Sequence, residues 1–394
     1  MSENKFTQAA ASSSASDVIL EAKNLKKYFP IRQSALLAKN RKVLHAVDGV
    51  SFQLHRGKTL GLVGESGCGK STTGRLLVGI EKPTEGEVLY QGKDLLQIKG
   101  EEFRKARLNL QMIFQDPYAS LNPRKRVIDI LSAPMLYHGL ETKDTVNRRV
   151  DELLDLVGLP HSAKVRYPHE FSGGQRQRIT IARALALKPE VIVCDEPVSA
   201  LDASIQAQIL NLLRSLQKDL GVAYLFIAHG LGAVHYISDE IAVMYLGKIV
   251  ETGESSDVFH HPAHPYAQLL IRAVPSTNPD LRDAFHVPDG EVPSAIDLPR
   301  GCRFAARCPY ATDRCRQEEP TLQPLEGRPG HMCACFYPIT ENTADNNPAS
   351  GASKDSIPLN SGNEGLLSAM NSQKTVHPIK TTCAETDVAG KEGR

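Results

Sequence analysis

Residues 64–71 read Gly-Glu-Ser-Gly-Cys-Gly-Lys-Ser and follow directly on an apolar run, Thr59–Val63. They fit the pattern G-x-x-x-x-G-K-[S/T], in which glycines let backbone N–H groups close around phosphates while the lysine neutralises charge. This motif requires a strand before it and a helix after it, and Lys70–Gly79 supplies a helical segment. The sequence therefore predicts a phosphate-binding loop for a nucleotide.

The residues of this loop have different expected roles. Lys70 should reach the β- and γ-phosphates, and Ser71 should give its hydroxyl to Mg²⁺. The residues predicted to contact the nucleotide here are Gly64, Glu65, Ser66, Gly67, Cys68, Gly69, Lys70, Ser71 and Thr72.

A second glycine-rich turn, Ser172-Gly173-Gly174-Gln175, opens a predicted helix over Gln175–Leu187. The N-terminus of a helix attracts anions because its N–H groups are unpaired and its dipole is positive there. The first loop cannot use this second phosphate site itself. Two phosphate sites for one nucleotide predict that two chains act together.

An acidic pair follows the buried strand predicted over Val191–Cys194. A carboxylate in such a place is costly unless it meets a cation, so we assign Asp195 to the Mg²⁺ shell. Glu196 is expected to be the general base for the water that attacks the γ-phosphate. The alternative is that the pair only caps the helix after Pro197.

Two further polar residues follow predicted strands. Gln115 comes after the run Gln111–Phe114 and is a candidate contact to Mg²⁺ or to the attacking water, although its spacing alone also suits a plain loop residue. His229 follows the predicted strand Ala223–Ile227, at the carboxyl end where ligands bind in parallel sheets. Although an isolated histidine is more often structural, its position opposite the phosphate loop favours a catalytic role for His229.

Composition restricts the possible classes of protein. The chain has 394 residues, with 46 basic and 45 acidic residues and a formal net charge of +1, so no overall field recruits nucleic acid. No apolar run approaches the roughly 18 residues of a membrane-spanning helix. The first residues lack the apolar segment of a secretory signal, which predicts retention in the cytoplasm.

The chain divides by composition into four predicted parts. Alternating strands and helices span residues 18–258, with a helical subdomain at about 116–186. Prolines then mark a small loop-rich extension over 259–338. A polar leader (1–17) and a polar tail (339–394) are predicted to be disordered because they have too little apolar surface to bury.

These motifs, in this order, resemble an ATP-binding cassette (ABC) subunit over about residues 18–338. The resemblance implies an α/β P-loop NTPase with a mostly parallel sheet, an antiparallel β portion and a helical subdomain, plus the cysteine-containing extension. It implies that two cassettes dimerise head to tail with ATP between the loop of one and the Ser172–Gln175 signature of the other. Asp202, in Ser199-Ala200-Leu201-Asp202, would lie in the dimer loop. Phe29, or less favourably Tyr28, would stack on adenine.

Several short segments resemble the ATPases of bacterial dipeptide and oligopeptide importers, most closely the F subunit of dipeptide transporters. They are residues 115–124, Tyr245-Leu246-Gly247, His264-Pro265-Tyr266 and 290–294. The resemblance implies a paralogous D-type ATPase as partner, two transmembrane permeases and a periplasmic peptide-binding protein. The chain would then work at the cytoplasmic face of the inner membrane, with residues 116–140 meeting a permease. A soluble ABC ATPase with a regulatory or nucleic-acid role, or an importer of non-peptide cargo, stays an alternative. A phosphate-loop kinase would not explain the signature.

Five of the eight cysteines fall within residues 302–335, a clustering that favours metal over disulfides in a reducing compartment. The importer resemblance matches Cys302, Cys308, Cys315 and Cys335, and some members of that family hold a [4Fe–4S] cluster there. Zinc or no metal remains open, since four thiolates suit iron–sulfur and zinc alike. The histidines near residues 260–264 have nothing to orient them as ligands.

One residue departs from the family pattern. The family usually has Asp after the histidine that corresponds to His229, called the switch histidine, whereas this chain has Gly230. Because glycine caps a helix less well than Asp, we expect His229 to be held less firmly.

Overall fold

A computed structural model describes residues 17–31, 42–274 and 293–339. Most of the predicted leader, nearly all of the predicted tail with Cys383, and residues 275–292 of the extension lie outside the described residues.

The described residues form twelve strands, eleven α-helices and two short 3₁₀ turns at His161–Val165 and Pro168–Glu170. The strands are β1 Val18–Pro30, β2 Val43–His55, β3 Thr59–Val63, β4 Glu85–Tyr90, β5 Lys93–Asp94, β6 Leu110–Ile113, β7 Val191–Asp195, β8 Ala223–Ala228, β9 Glu240–Tyr245, β10 Lys248–Glu254, β11 Gln323–Leu325 and β12 Arg328–Cys333. The helices are α1 Lys70–Leu77, α2 Gly100–Asn109, α3 Pro117–Ser120, α4 Val127–Tyr137, α5 Val146–Leu156, α6 Gly173–Leu185, α7 Ala203–Leu220, α8 Leu231–Ile237, α9 Ser255–His260, α10 Pro265–Arg272 and α11 Asp313–Gln317. No helix in these ranges is long and apolar enough to cross a membrane.

An eight-stranded sheet has the order β11-β12-β10-β9-β3-β8-β7-β6. Strands β6, β7, β8, β3 and β9 are parallel, and the remaining pairs are antiparallel. Val63 pairs with Ala228, and Asp195 pairs with Ile227. The chain therefore leaves β3, β7 and β8 at the same level of one sheet edge, where parallel sheets bind ligands.

A second, four-stranded antiparallel sheet has the order β2-β1-β4-β5. Its buried residues share one apolar core with the eight-stranded sheet and α1, as seen for Leu20, Val50, Leu76 and Leu225. The antiparallel β portion predicted from the sequence is confirmed, and it supports the helix that follows the phosphate loop.

The helical subdomain contains α3 to α6, within the range predicted for it. Helix α5 shows why this segment packs: Val146, Val150, Leu153 and Leu154 repeat with helical spacing on one buried face. The predicted strands Thr59–Val63, Val191–Cys194 and Ala223–Ile227 match β3, β7 and β8 within one residue.

The extension is more closely joined to the cassette than its loop-rich sequence predicts. Strands β11 and β12 form a hairpin that continues the eight-stranded sheet, with Glu251 of β10 paired to Cys333. β12 contains Pro329 and Gly330, which are poor strand formers, so no alternating pattern marks it in the sequence.

A fully buried hydrogen-bond network connects this hairpin to the cassette. Glu251 and His331 are both 0% exposed. The Glu251 carboxylate lies 2.7 Å from His331 Nε2 and accepts hydrogen bonds from the backbone N–H groups of Ala263 and His264 at 2.9 and 2.7 Å. A buried carboxylate is stable only when its partners are present.

The substitution His331→Ala should lower the free energy of unfolding by about 3 kcal/mol, because the carboxylate of Glu251 would stay buried without its imidazole partner. Urea unfolding followed by circular dichroism measures the change. His161→Ala is the matched control, because His161 pairs with Asp155 at 2.9 Å but their side chains are 52% and 67% exposed. A His331 variant no less stable than the control would contradict a structural role for this pair.

Candidate nucleotide-binding and hydrolysis site

The phosphate loop can be built only with glycine at two of its positions. A Cβ atom at Gly64 would lie 2.1 Å from the carbonyl oxygen of Met244, and one at Gly69 would lie 2.1 Å from that of Ala46. Gly69 also has φ +108° and forms the N-cap of α1. The loop is thus pressed against neighbouring backbone, and this close approach explains the glycines of the motif.

Lys70 is the first residue of α1 and is only 4% exposed. Its Nζ donates to the carbonyl oxygens of Gly64 and Glu65 at 2.7 and 2.9 Å. Nζ also lies 3.5 Å from Nδ1 of His229. The ammonium group is therefore held inside the loop, beside the histidine that follows β8.

Besides the approach of Lys70 to His229, a second contact joins the start of α1 to the end of a parallel strand, between Ser71 of α1 and Asp195 of β7. The Ser71 hydroxyl donates to Asp195 Oδ1 at 2.8 Å. Burial raises the pKa of Asp195, and the adjacent Glu196 carboxylate acts in the same direction, while the hydrogen bond from Ser71 opposes them. A hydroxyl and a buried carboxylate side by side are oxygen donors of the kind that Mg²⁺ prefers, so these residues fit that ion.

Glu196 is held at both carboxylate oxygens. Oε1 lies 2.6 Å from His229 Nε2, and Oε2 accepts a hydrogen bond from Gln115 Nε2 at 2.7 Å. Glu196 has φ +50°, a left-handed conformation that is unfavourable for a residue with a side chain, and its N–H donates to Ile227 at 2.9 Å. The structure thus brings together Gln115, Glu196 and His229, which are far apart in the sequence.

The signature motif lies on the surface. Ser172 caps α6, with its Oγ accepting from the Gln175 N–H at 3.3 Å while the Gln175 side chain accepts from the Ser172 N–H at 3.1 Å. Gly174 is buried against α7, where a Cβ would lie 2.5 Å from Ile205. Asp202 caps α7 through Ile205 N–H at 3.1 Å. Ser172, Gly173, Gln175 and Asp202 remain exposed.

The two candidate adenine-stacking residues differ in their surroundings. The Tyr28 hydroxyl donates to Asp48 at 2.5 Å and its ring lies 4.5 Å from that of His45. Phe29 is partly exposed, and the Lys27 ammonium group lies 4.9 Å from its ring centre. Stacking on adenine would therefore break fewer existing contacts of Phe29 than of Tyr28.

Two residues on the outer side of the phosphate loop were missed by the sequence analysis. Arg307 of the extension pairs with the Glu65 carboxylate, and the Tyr266 hydroxyl accepts from the Glu65 N–H at 2.7 Å. They lie 242 and 201 positions along the chain from Glu65. No motif in the sequence connects such distant residues.

Comparisons with known proteins agree over most of the chain. The family model for ABC transporters matches residues 47–199, and that for the C-terminal region of oligopeptide/dipeptide transporters matches residues 250–315. The oligopeptide transport ATP-binding protein AppF of Bacillus subtilis is 50% identical over 322 residues, which cover 81% of this chain and 97% of AppF. The chain belongs to the ABC transporter family.

Two further similarities bear on this ABC subunit. The dipeptide transport ATP-binding protein DppF of Haemophilus influenzae is 49% identical over 319 residues, covering 81% of this chain and 96% of DppF. The solved dimeric structure of the ATP-binding cassette MJ0796 with ADP and Pi has a TM-score of 0.53 and 25% identity, covering 60% of this chain and 99% of that one. The family and fold class predicted from the sequence are confirmed, and the chain is an ABC ATPase that uses ATP and Mg²⁺.

Four of the five cysteines of the extension surround a small cavity in the ABC subunit. Cys302, Cys308, Cys315 and Cys335 line it, together with aromatic side chains such as Phe304, and Cys333 does not. Burial raises the pKa of Cys335 to about 12, and the neighbouring thiols add to this shift. Among the described residues, no three His, Cys, Asp or Glu side chains are arranged so that they would hold a metal ion.

The histidines near residue 260 have other contacts. His264 is buried and caps α10 by accepting from the Tyr266 N–H at 3.0 Å, and burial lowers its pKa to about 3. His260 packs edge-on against the rings of His235 and Phe259. Neither histidine is oriented toward a metal site.

Gly230 occupies the N-cap position of α8 without any side-chain cap. Its φ is −84°, and a Cβ there would meet nothing within 4 Å. A larger residue therefore fits, so space does not explain the glycine in this member of the ABC family.

Gly230→Asp should stabilise the start of α8 by a few tenths of a kcal/mol, since Asp caps a helix slightly better than glycine. We expect unchanged MgATP affinity and a preserved or higher ATPase rate, because His229 precedes the capped helix directly. Nucleotide titration and steady-state kinetics measure both quantities, and Gly230→Ala controls for added bulk without a cap. A large fall in rate for Gly230→Asp alone would mean that the switch histidine requires glycine.

Proposed function

We propose that this chain hydrolyses ATP to energise the import of dipeptides or short peptides, as one ATPase subunit of a heteromeric ABC transporter. The proposal is carried by one observation: Glu196 is held by Gln115 and His229 beside the Lys70 loop, in a chain that aligns with peptide-transport ATP-binding proteins over 81% of its length. A regulatory or nucleic-acid-associated ATPase is not favoured by these relatives.

The residues divide the chemistry among them. Lys70 exchanges its two carbonyl partners for the β- and γ-phosphates, while Ser71 and Asp195 hold Mg²⁺, which neutralises phosphate charge when bound. Glu196 accepts the proton of the attacking water. His229 and Gln115 orient the Glu196 carboxylate through its two oxygens, and Gln115 also contacts the ion or the water.

The exposed signature motif supports a two-chain arrangement. Ser172, Gly173 and Gln175 are open to solvent at the start of α6, where the N-terminus of the helix attracts anions. A head-to-tail dimer would place them on the nucleotide of the other cassette, and the similar cassette MJ0796 is dimeric in its structure with ADP and Pi. We propose a paralogous ATPase as the partner in this heterodimer, with Asp202 in the interface and Phe29 against adenine.

The remaining partners are two transmembrane permeases and, indirectly, a periplasmic peptide-binding protein. Residues 116–140 present exposed apolar side chains that suit a permease contact. Tyr118 and Tyr137 are 57% and 82% exposed, and Leu136 and Leu140, close to Tyr137 in the sequence, are exposed as well. This contact would place the chain peripherally at the cytoplasmic face of the inner membrane.

Glu196→Gln should bind MgATP and hold the dimer closed but stop hydrolysis and peptide uptake, because the amide keeps the size of the side chain and cannot accept the proton. ATPase assays and uptake by the assembled transporter measure the loss, while size-exclusion chromatography with MgATP detects the trapped dimer. Asp219→Asn, on the outer end of α7, is a charge-matched control. Turnover as fast as in the control would remove Glu196 from the mechanism.

We further propose that Cys302, Cys308, Cys315 and Cys335 hold a [4Fe–4S] cluster with a structural role. Support comes from the donor set, since four thiols line one cavity in an extension that is small for a core of its own. The side chains as they lie are not arranged around a metal position. Zinc is the alternative metal that the same four thiols would bind.

Anaerobic purification followed by iron and acid-labile sulfide analysis tests this proposal, with about four of each expected per chain. Cys308→Ser should lose the metal, whereas Cys333→Ser should keep it because Cys333 lies outside the cavity lining. Zinc without sulfide would favour the alternative. A colourless, metal-free and folded protein would defeat both.

A further inference from the structure

Arg307 of the extension contacts the phosphate loop through a partly buried ion pair. Arg307 Nη1 and Nη2 donate to the two carboxylate oxygens of Glu65 at 2.8 and 2.9 Å. Arg307 is only 8% exposed, and its guanidinium lies 5.7 Å from the ring centre of Phe304 and 5.9 Å from that of Tyr245. A bidentate pair of this kind fixes direction as well as distance.

Glu65 is a fixed point of the phosphate loop because each of its polar groups is engaged. Its side chain binds Arg307, its N–H donates to the Tyr266 hydroxyl at 2.7 Å, and its carbonyl accepts from Lys70 at 2.9 Å. When Lys70 turns to the phosphates, the contacts to Arg307 and Tyr266 remain, together with a long hydrogen bond within the loop from the Cys68 N–H to the Glu65 carbonyl at 3.4 Å. The outer side of the loop is then held by two residues of the extension, Tyr266 of α10 and Arg307.

The charge of Glu65 makes the ion pair necessary. A carboxylate in the phosphate loop repels a bound triphosphate unless a cation balances it, and partial burial weakens the screening by water. Arg307 supplies that cation. Without it, the loop would carry an unbalanced negative charge next to its ligand.

We propose that Arg307 is a positioning residue for the phosphate loop, which balances and orients Glu65 so that the loop binds MgATP tightly. This inference rests on the proposed function of the loop. Arg307 directly precedes Cys308, which lines the cysteine cavity. The folding of the extension around that cavity therefore determines where the Arg307 side chain meets the phosphate loop.

Arg307→Ala in the full chain should raise the dissociation constant for MgATP about tenfold, equivalent to 1.4 kcal/mol. In the assembled transporter, KM for ATP should rise to a similar extent while kcat changes less than twofold, because the Arg307 side chain bonds to Glu65 and Tyr245 and not to Gln115, Glu196 or His229. Arg307→Lys, which keeps the charge, should recover most of the affinity.

Adding Glu65→Gln to Arg307→Ala provides the decisive comparison. Removing the unbalanced carboxylate should restore MgATP affinity to within about threefold of the parent chain, a residual below 0.7 kcal/mol. Arg303→Ala is the matched control: this buried arginine of the same extension bonds to Asp48 and Glu319 and not to Glu65. Glu65→Gln should not rescue any weakness of that variant.

Two results would overturn the inference. One is unchanged MgATP affinity in folded Arg307→Ala, and the other is a loss that Glu65→Gln does not reverse, which would mean that Arg307 only holds the extension together. If Arg307→Ala does not fold, Arg307→Gln provides the same comparison with a side chain that still fills the space. Failure of the parent chain to bind MgATP would instead reject the proposed function itself.

Discussion

Lys70 carries its charge into the interior of the cassette, where its ammonium group is surrounded by the carbonyl oxygens of Gly64 and Glu65. Burying such a charge is costly unless polar groups surround it, so the loop must curl tightly around it. The glycines permit that curl, and the common level of three parallel strands brings Glu196 and His229 to the same place. The catalytic arrangement follows from this one constraint.

The site could be predicted where a short motif determines local geometry. The strands β3, β7 and β8 are apolar runs of ordinary length, and the residues after them have obvious chemistry, so both their bounds and their meeting point follow from the sequence. The β11–β12 hairpin could not be predicted, because β12 contains Pro329 and Gly330, which are poor strand formers. Arg307 could not be predicted either, because an isolated arginine in a loop says nothing about a partner 242 positions away.

The extension and the signature motif relate to the site in opposite ways. The extension completes the cassette from within the same chain: His331 binds Glu251, and Arg307 binds Glu65. The signature residues Ser172 and Gln175 cap one another and face solvent, and we propose that their ligand is the nucleotide of the partner cassette. On this account, the affinity of the loop for ATP is set within the chain, whereas closure around ATP needs the proposed partner.

The central claim is that each nucleotide is bound by the loop of one cassette and the signature of the other. A cryo-electron microscopy structure of the assembled transporter with Mg²⁺ and a non-hydrolysable ATP analogue tests it directly. The account predicts Lys70 Nζ within hydrogen-bond distance of the γ-phosphate of one nucleotide, and Ser172 of this chain on the γ-phosphate of the other. A triphosphate bound to Lys70 in a closed transporter, with both signature motifs still open to solvent, would contradict it.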